Sequence, residues 1–318
     1  MTLPTPFIVP AEEAGHTLAA VLRARMPGQS WSQVRALVTA RKVQVLGDLC
    51  LDPARRLKEG DAVEILGRPA RPPGEPETII IRHIDDHLIV VEKPAGLCTV
   101  RHPSERAWSA ERKTLSPTLE DLVPKLIARR EGTRGEPRPR VVQRLDKETS
   151  GLVVFGRTVT GERGLGMQFR RHTVIRRYIA VVPGRVNDQC IHTYLVRDRG
   201  DGRRGTAFME GIGKEAITHV EVRERLKGYT VVACRLETGR THQIRIHLAE
   251  TGHPVCGDKV YSHRRDGTSF ADDSGATRLS LHATELGFTH PITGVALRWE
   301  MPLPADMQGL IDRLRQGP

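Results

Sequence analysis

The chain has 318 residues, 38% hydrophobic and 27% charged, enough for one sizeable core and a smaller one. No apolar run approaches the ~20 residues that cross a bilayer, and the start, Met-Thr-Leu-Pro-Thr-Pro, lacks the basic-then-apolar pattern of a secretory leader. A formal net charge of +11 favours a polyanionic partner, while an aromatic content of 4% argues against a broad stacking platform for single strands.

Residues 1–67 read as a small α/β unit. Leu18, Ala19, Val21, Leu22 and Met26 recur at helical spacing until Pro27-Gly28. Ser30 or Ser32 can cap a second helix with Val34, Leu37 and Val38 on one face. Extended stretches follow at Val43–Leu46, near Leu49–Leu51 and at Val63–Ile65. Residues 68–77 hold four prolines and one glycine and read as a linker. A second domain, 78–318, opens with strands at Ile79–Ile81 and Leu88–Val91 around the turn Asp85-Asp86. Glu92-Lys93-Pro94-Ala95-Gly96-Leu97 then forms a bend. Leu119, Leu122, Val123, Leu126 and Ile127 predict a helix over Thr118–Arg130.

Arg144-Leu145-Asp146 lies between two apolar runs, Val141-Val142 and Val153-Val154-Phe155. A carboxylate beside a cation in a tight polar turn between buried strands is well placed to act on a ligand. From Arg157 to Arg185 there are seven arginines and one acid, Glu162, which predicts a basic face suited to phosphate. β-rich runs recur at Val174–Val182, Ala216–Val222, Thr230–Leu236, Leu286–Thr289 and Ala296–Glu300, and 262–277 is a polar loop. Ile244, Ile246 and Leu248 alternate as core positions of an extended stretch or a strand-to-helix junction, with Arg245 and His247 projecting the other way. His242, His247 and His253 lack the spacing and the acid of a zinc helix, so no metal site is expected. Five scattered cysteines, none in Cys-x-x-Cys spacing, predict free thiols in a reducing cytoplasm. The fold class is α+β: a mixed, mostly antiparallel sheet with flanking helices, plus the small N-terminal unit.

Arg144-Leu145-Asp146-x-x-Thr149-Ser150-Gly151 resembles the Arg-Leu-Asp-x-x-Thr-Ser-Gly motif of the RluA-like pseudouridine synthases, which modify ribosomal and transfer RNA. Gly239-Arg240-Thr241-His242-Gln243-Ile244-Arg245-Ile246-His247, continuing through Leu248 to Gly252-His253-Pro254-Val255-Cys256-Gly257-Asp258 and Tyr261, is similar to a second segment of that family. Lys93-Pro94-Ala95-Gly96-Leu97, Tyr178-Ile179-Ala180, and Leu281-His282-Ala283 with Phe288-Thr289-His290-Pro291 resemble three more, all in the family's order. Residues 1–67, with Arg35, Arg41 and Lys42 near the second helix, resemble the small RNA-binding domain named after ribosomal protein S-four.

The resemblance implies an RNA-modifying isomerase that needs no cofactor. It makes Asp146 the catalytic residue, Arg245 its cationic partner and Tyr178 the residue against the base. Gln143, Arg144, Thr149, Arg176, Arg177, Arg240, His242 and Gln243 are then expected at the RNA, with Arg144 as wedge or phosphate clamp. The S-four-like domain favours ribosomal over transfer RNA, and a monomer is expected. Gln143 departs from the family's usual histidine and cannot carry charge, which implies a different contact with the RNA strand. Two rivals remain at this point: a non-catalytic RNA-binding or ribosome-assembly factor, and a glycosidase, which needs a second acid that only Glu148 could supply.

Overall fold

The computed structural model describes residues 5–70, 79–133, 135, 137–200, 202–207, 211–264 and 268–317. Most of the expected linker (71–77), the expected domain start at Thr78 and part of the 262–277 loop lie outside these. The chain divides into two compact units.

The smaller unit contains β1 (Phe7–Ile8), α1 (Leu18–Arg25), α2 (Trp31–Thr39), β2 (Val43–Val45), β3 (Asp48–Leu49) and β4 (Ala62–Ile65). Thr17 caps α1 through its hydroxyl, and Ser30 with Gln33 forms a capping box on α2. Leu18, Val21, Leu22, Val34 and Val38 from the helices meet Val43, Val45 and Val63 from a four-stranded sheet ordered β1-β4-β2-β3. His102–Pro117, which includes α3 (Ala110–Leu115), also belongs to this unit. Arg112 pairs with Asp52 at 3.3 Å, and the Arg41 guanidinium donates to the carbonyls of Ala70 and Leu115. Arg41 is therefore buried and occupied within the protein, while Arg35 on α2 is exposed.

The larger unit is built on β5 (Ile81–Ile84), β6 (Leu88–Lys93), α4 (Leu119–Glu131), β7 (Arg140–Val141), β8 (Ser150–Gly156), α5 (Val159–Arg170), β9 (Ile175–Pro183), β10 (Gln189–Val196), β11 (Gly205–Thr206), β12 (Lys214–Arg225), β13 (Tyr229–Leu236), α6 (Gln243–Glu250), β14 (Leu281–Thr289), β15 (Ala296–Glu300) and α7 (Ala305–Gln316). Its sheet runs β11-β10-β12-β13-β9-β14-β8-β6-β5, with β15 beside β14 and β7 beside β8. Among the described residues only β14 and β8 pair in parallel, so the sheet is mixed and mostly antiparallel, as expected. That parallel contact brings backbone against backbone: a Cβ on Gly151 would lie 2.3 Å from the Ala283 carbonyl oxygen, at φ +124°. Gly151 therefore lets the end of the Asp146 loop enter the sheet centre.

One sheet face carries α4 and α6. Leu119, Val123 and Ile127 from α4 and Ile244 and Leu248 from α6 pack on Val91, Val153, Phe155, Ala180, Val182 and Val232. The other face holds Leu165 of α5 against Leu88, Val90, Leu152 and Val154, and α7 against Val181 and Val231.

Candidate active site

Asp146 sits in the loop between β7 and β8, and its backbone is fixed on both sides. The buried Thr99 hydroxyl donates to the Leu145 carbonyl at 2.8 Å and accepts from the Leu145 N–H at 3.0 Å. The buried Lys93 ammonium donates to the carbonyls of Lys147 (2.9 Å), Leu97 (2.7 Å) and Pro94 (2.9 Å). Burial pushes Lys93 down to about 7. Three carbonyl acceptors act the other way, because only an ammonium can donate to all three. The Thr149 N–H closes the turn onto the Asp146 carbonyl at 3.2 Å. Thr99 is itself held where the chain returns: Leu119 N–H donates to Cys98 O at 2.8 Å and Glu120 N–H to Thr99 O at 3.0 Å.

The Asp146 carboxylate faces two side chains from the start of α6. Arg245 Nη1 is 3.6 Å from Oδ2, and His242 Nε2 is 3.8 Å from Oδ1. Both distances exceed a hydrogen bond, so the carboxylate has one guanidinium and one imidazole beside it without being clamped. Arg245 gives its other edge to Asp258, with Nε 2.7 Å from Oδ2 and Nη2 2.8 Å from Oδ1. Burial works against charge on Arg245, but the bonds to Asp258 and the field of Asp146 outweigh it and raise its pKa. Burial likewise opposes ionisation of Asp258, and the Arg245 fork reverses that, so this carboxyl titrates below its ordinary value. His242 adopts a left-handed backbone, φ 60°, a strain of about 1 kcal/mol or more for a residue with a Cβ. Its Nδ1 meets the Tyr261 hydroxyl at 2.9 Å. Burial lowers its pKa despite Asp146 nearby.

α6 settles the choice left open by the sequence. The segment after β13 is a strand-to-helix junction, not an extended stretch, and Gln243–Ala249 are all buried. Two residues along a helix turn about 200°, so Arg245 and His247 point to different places. Arg245 faces Asp146, whereas His247 is held by the hydroxyls of Thr218 and Thr193, both at 2.9 Å. The third histidine, His253, bonds the Pro183 carbonyl at 2.8 Å.

Tyr178 and Arg176 project from one face of β9 into the same space, following the two-residue repeat of a strand. Tyr178 lies beside Cys234 on β13 and Ala283 on β14. Burial pushes its phenol up to about 12, so it is neutral at ordinary pH. Arg176 donates to the Glu237 carbonyl at 2.9 Å and lies over the Phe169 ring at 5.5 Å.

These groups surround a cavity of about 550 Å³. Gln143, Arg144, Asp146, Thr149, Arg176, Tyr178, Arg240, His242, Gln243 and Arg245 all line it, so ten of the eleven expected site residues come together. Arg177 does not. It is one residue out of register with Arg176 and faces Glu285 at 3.7 Å across the opposite side of the sheet. Gln243 borders the cavity, but its amide is used by the protein: it accepts from the Thr238 hydroxyl and Arg240 N–H and donates to Ile217 O and Thr218 Oγ1. Its contribution is to shape the turn into α6. Arg144 reaches Thr241 Oγ1 at 2.7 Å, bridging the two motifs, and is not the cation beside Asp146. Glu148 lies by Lys147 at 3.8 Å and is absent from the cavity wall. Arg170, from the arginine run expected at phosphate, also lines the wall; Phe169 and His172 on the wall and Thr99 behind the site were not foreseen, nor were the supporting roles of Lys93 and Asp258, which the family motifs contain.

Acid–base groups at the floor and positive charge at the mouth suit an enzyme that modifies one nucleotide within a longer nucleic acid. Known proteins narrow that class. The family pattern described as RNA pseudouridylate synthase matches residues 87–250. The ribosomal large subunit pseudouridine synthase D of Neisseria meningitidis serogroup A is 37% identical over 316 residues, 96% of this chain and 81% of that protein. The protein of the same name from Zymomonas mobilis is 35% identical over 321 residues, 98% of each chain. Among solved structures, human RNA pseudouridylate synthase domain containing 4 shares the fold, with a TM-score of 0.59 at 23% identity over 74% of this chain and 92% of that one. The chain belongs to the RNA pseudouridylate synthase family, isomerases that convert uridine to pseudouridine.

Proposed function

We propose that this enzyme isomerises uridine in large-subunit ribosomal RNA in the cytoplasm, with Asp146 as its essential carboxylate and Tyr178 and Arg245 as its partners. One observation carries the site assignment: Asp146 lies 3.6 Å from Arg245 at the floor of the cavity that Tyr178 also lines. The choice of RNA is supported by the names of the Neisseria and Zymomonas relatives, which align over nearly the whole of this chain.

The reaction breaks the bond from ribose to uracil nitrogen, turns the base and joins ribose to carbon 5. No atoms are gained or lost and no electrons are transferred. Arg245 orients the Asp146 carboxylate. The carboxylate so held serves equally an attack at the anomeric carbon and removal of the hydrogen at the neighbouring ribose carbon. Tyr178 stacks on the base as a neutral phenol and passes on the carbon-5 proton, accepting at its oxygen as it gives up its own. The uridine must leave its stack to reach the floor, at a cost of a few kcal/mol. Arg144, Arg170, His172 and Arg240 at the mouth offset that cost by holding phosphates. The smaller unit, with Arg35 exposed on α2, adds affinity for structured RNA.

A binding-only factor has no use for a buried guanidinium shared between two carboxylates, which favours the catalytic reading. The test is Asp146→Asn with RNA carrying tritium at uridine carbon 5. No release above the blank is expected, with RNA affinity near that of the wild type. Release at the wild-type rate would remove Asp146 from the chemistry.

A further inference from the structure

Arg245 has three nitrogens, and two of them never meet Asp146. Its Nε and Nη2 fork onto Asp258, whose side chain is 1% exposed. Asp258 is in turn held by its own turn: Oδ1 accepts from the N–H groups of Val260 (2.8 Å) and Tyr261 (3.0 Å). The Tyr261 ring lies beside Arg245, 5.1 Å from Cζ, and its hydroxyl meets His242. One short turn, Asp258–Tyr261, thus supports both groups that face Asp146.

We propose that Asp258 is a positioning residue for the isomerisation, holding Arg245 so that only Nη1 is presented to Asp146. This rests on the reading of Asp146 as the acting carboxylate. Guanidinium and carboxylate left to themselves form a two-pronged fork at 2.7–2.9 Å. Here Asp258 occupies that fork, and Asp146 is left at 3.6 Å. The arrangement keeps a cation beside Asp146 yet leaves the carboxylate free to move onto the ribose. Without Asp258, Arg245 can turn its fork to Asp146 and lock the carboxylate away from the substrate. A buried ion pair of this kind is seldom the most stable filling for a core site. Its position one nitrogen away from the reacting carboxylate gives it a functional reason.

The test is the single-turnover rate on one RNA, measured together with RNA affinity and thermal midpoint. Asp258→Asn should slow the reaction about 100-fold, the scale of a group misplaced by an ångström, with RNA affinity unchanged. The second arm compares Arg245→Met with Arg245→Met/Asp258→Asn. Equal rates are expected, because Asp258 acts through Arg245; a further fall in the double variant would overturn the proposal, as would a wild-type rate in Asp258→Asn. Should either single variant fail to fold, the double variant decides by itself, since it leaves neither charge of the pair buried alone: a fall of about 100- to 1,000-fold, that of losing Arg245, supports the proposal, and a larger fall overturns it. An inactive wild type or an active Asp146→Asn would instead overturn the underlying reading.

Discussion

The floor of the cavity and its rim are built from similar residues in opposite ways. At the floor, Arg245, Asp258 and Tyr178 are each less than a tenth exposed, and the flanks of Asp146 are held by Thr99 and Lys93. At the rim, Arg144, Arg170 and His172 are exposed. A charge at the floor is worth more because little water screens it, and its neighbours already hold it in place. A charge at the rim is screened and mobile, which suits a phosphate backbone whose path varies. Chemistry and capture should therefore separate on mutation.

The sharpest break is at the floor. Arg245→Ala should lower the single-turnover rate by about 100- to 1,000-fold, the usual scale for removing one preorganised electrostatic group, with RNA affinity nearly unchanged. A parallel loss of affinity would make Arg245 an RNA contact and merge the two regions. Thr99→Val comes next. It preserves shape but leaves the Leu145 N–H and carbonyl without their partner, costing about 1–3 kcal/mol of stability. The rate should fall about tenfold or more as Asp146 loosens, and Thr99→Ser should restore it. If Val and Ser variants turn over alike, the hydroxyl does not set the loop.

At the rim, Arg144→Ala or Arg170→Ala should weaken RNA binding by about 1 kcal/mol and reduce the steepness of its salt dependence by about one, leaving the rate at saturating RNA intact. A drop in that rate for Arg144→Ala alone would mark it as the wedge that opens the RNA, a role in chemistry performed from the rim. A further effect, on stability and not on turnover, concerns pH. Burial lowers His247 and His282 to about 4, so both are neutral in the folded protein, whereas the unfolded chain takes up protons below about 6.5. Their contribution to stability is complete above pH 6.5 and is lost as pH falls through 4. The thermal midpoint should drop by several degrees across that window. Replacing His247 or His282 with Asn should flatten the drop; an unchanged slope would place the acid sensitivity elsewhere.

Much of the floor was legible in the sequence because it comes in short motifs. Arg144-Leu145-Asp146, Tyr178 and Arg245 each stand in such a motif. Three kinds of information were not legible. α5 contains Gly161, Gly164 and Gly166 and reads as a basic run with poor helix propensity. The glycines are there for packing, since a Cβ on Gly161 would meet the His87 carbonyl oxygen at 2.3 Å and one on Gly164 the Pro291 Cβ at 2.5 Å. α6 is buried on all sides, so its apolar residues carry no helical period and imitate a strand. Asp258 stands in the second family segment, but its pairing with Arg245, thirteen residues away, follows from no spacing rule that links a helix to the turn after it. The split between Arg176 and Arg177 needed only the register of β9, which the flanking Tyr178 could have supplied.

The most direct measurement is pseudouridine mapping in total RNA from cells carrying the intact gene, no gene, or the Asp146→Asn form. The expected result is one or more sites in large-subunit ribosomal RNA that are present with the intact gene and missing from both other strains. Sites that persist without the gene, or that survive Asp146→Asn, would contradict the assignment of this reaction to the Asp146 floor.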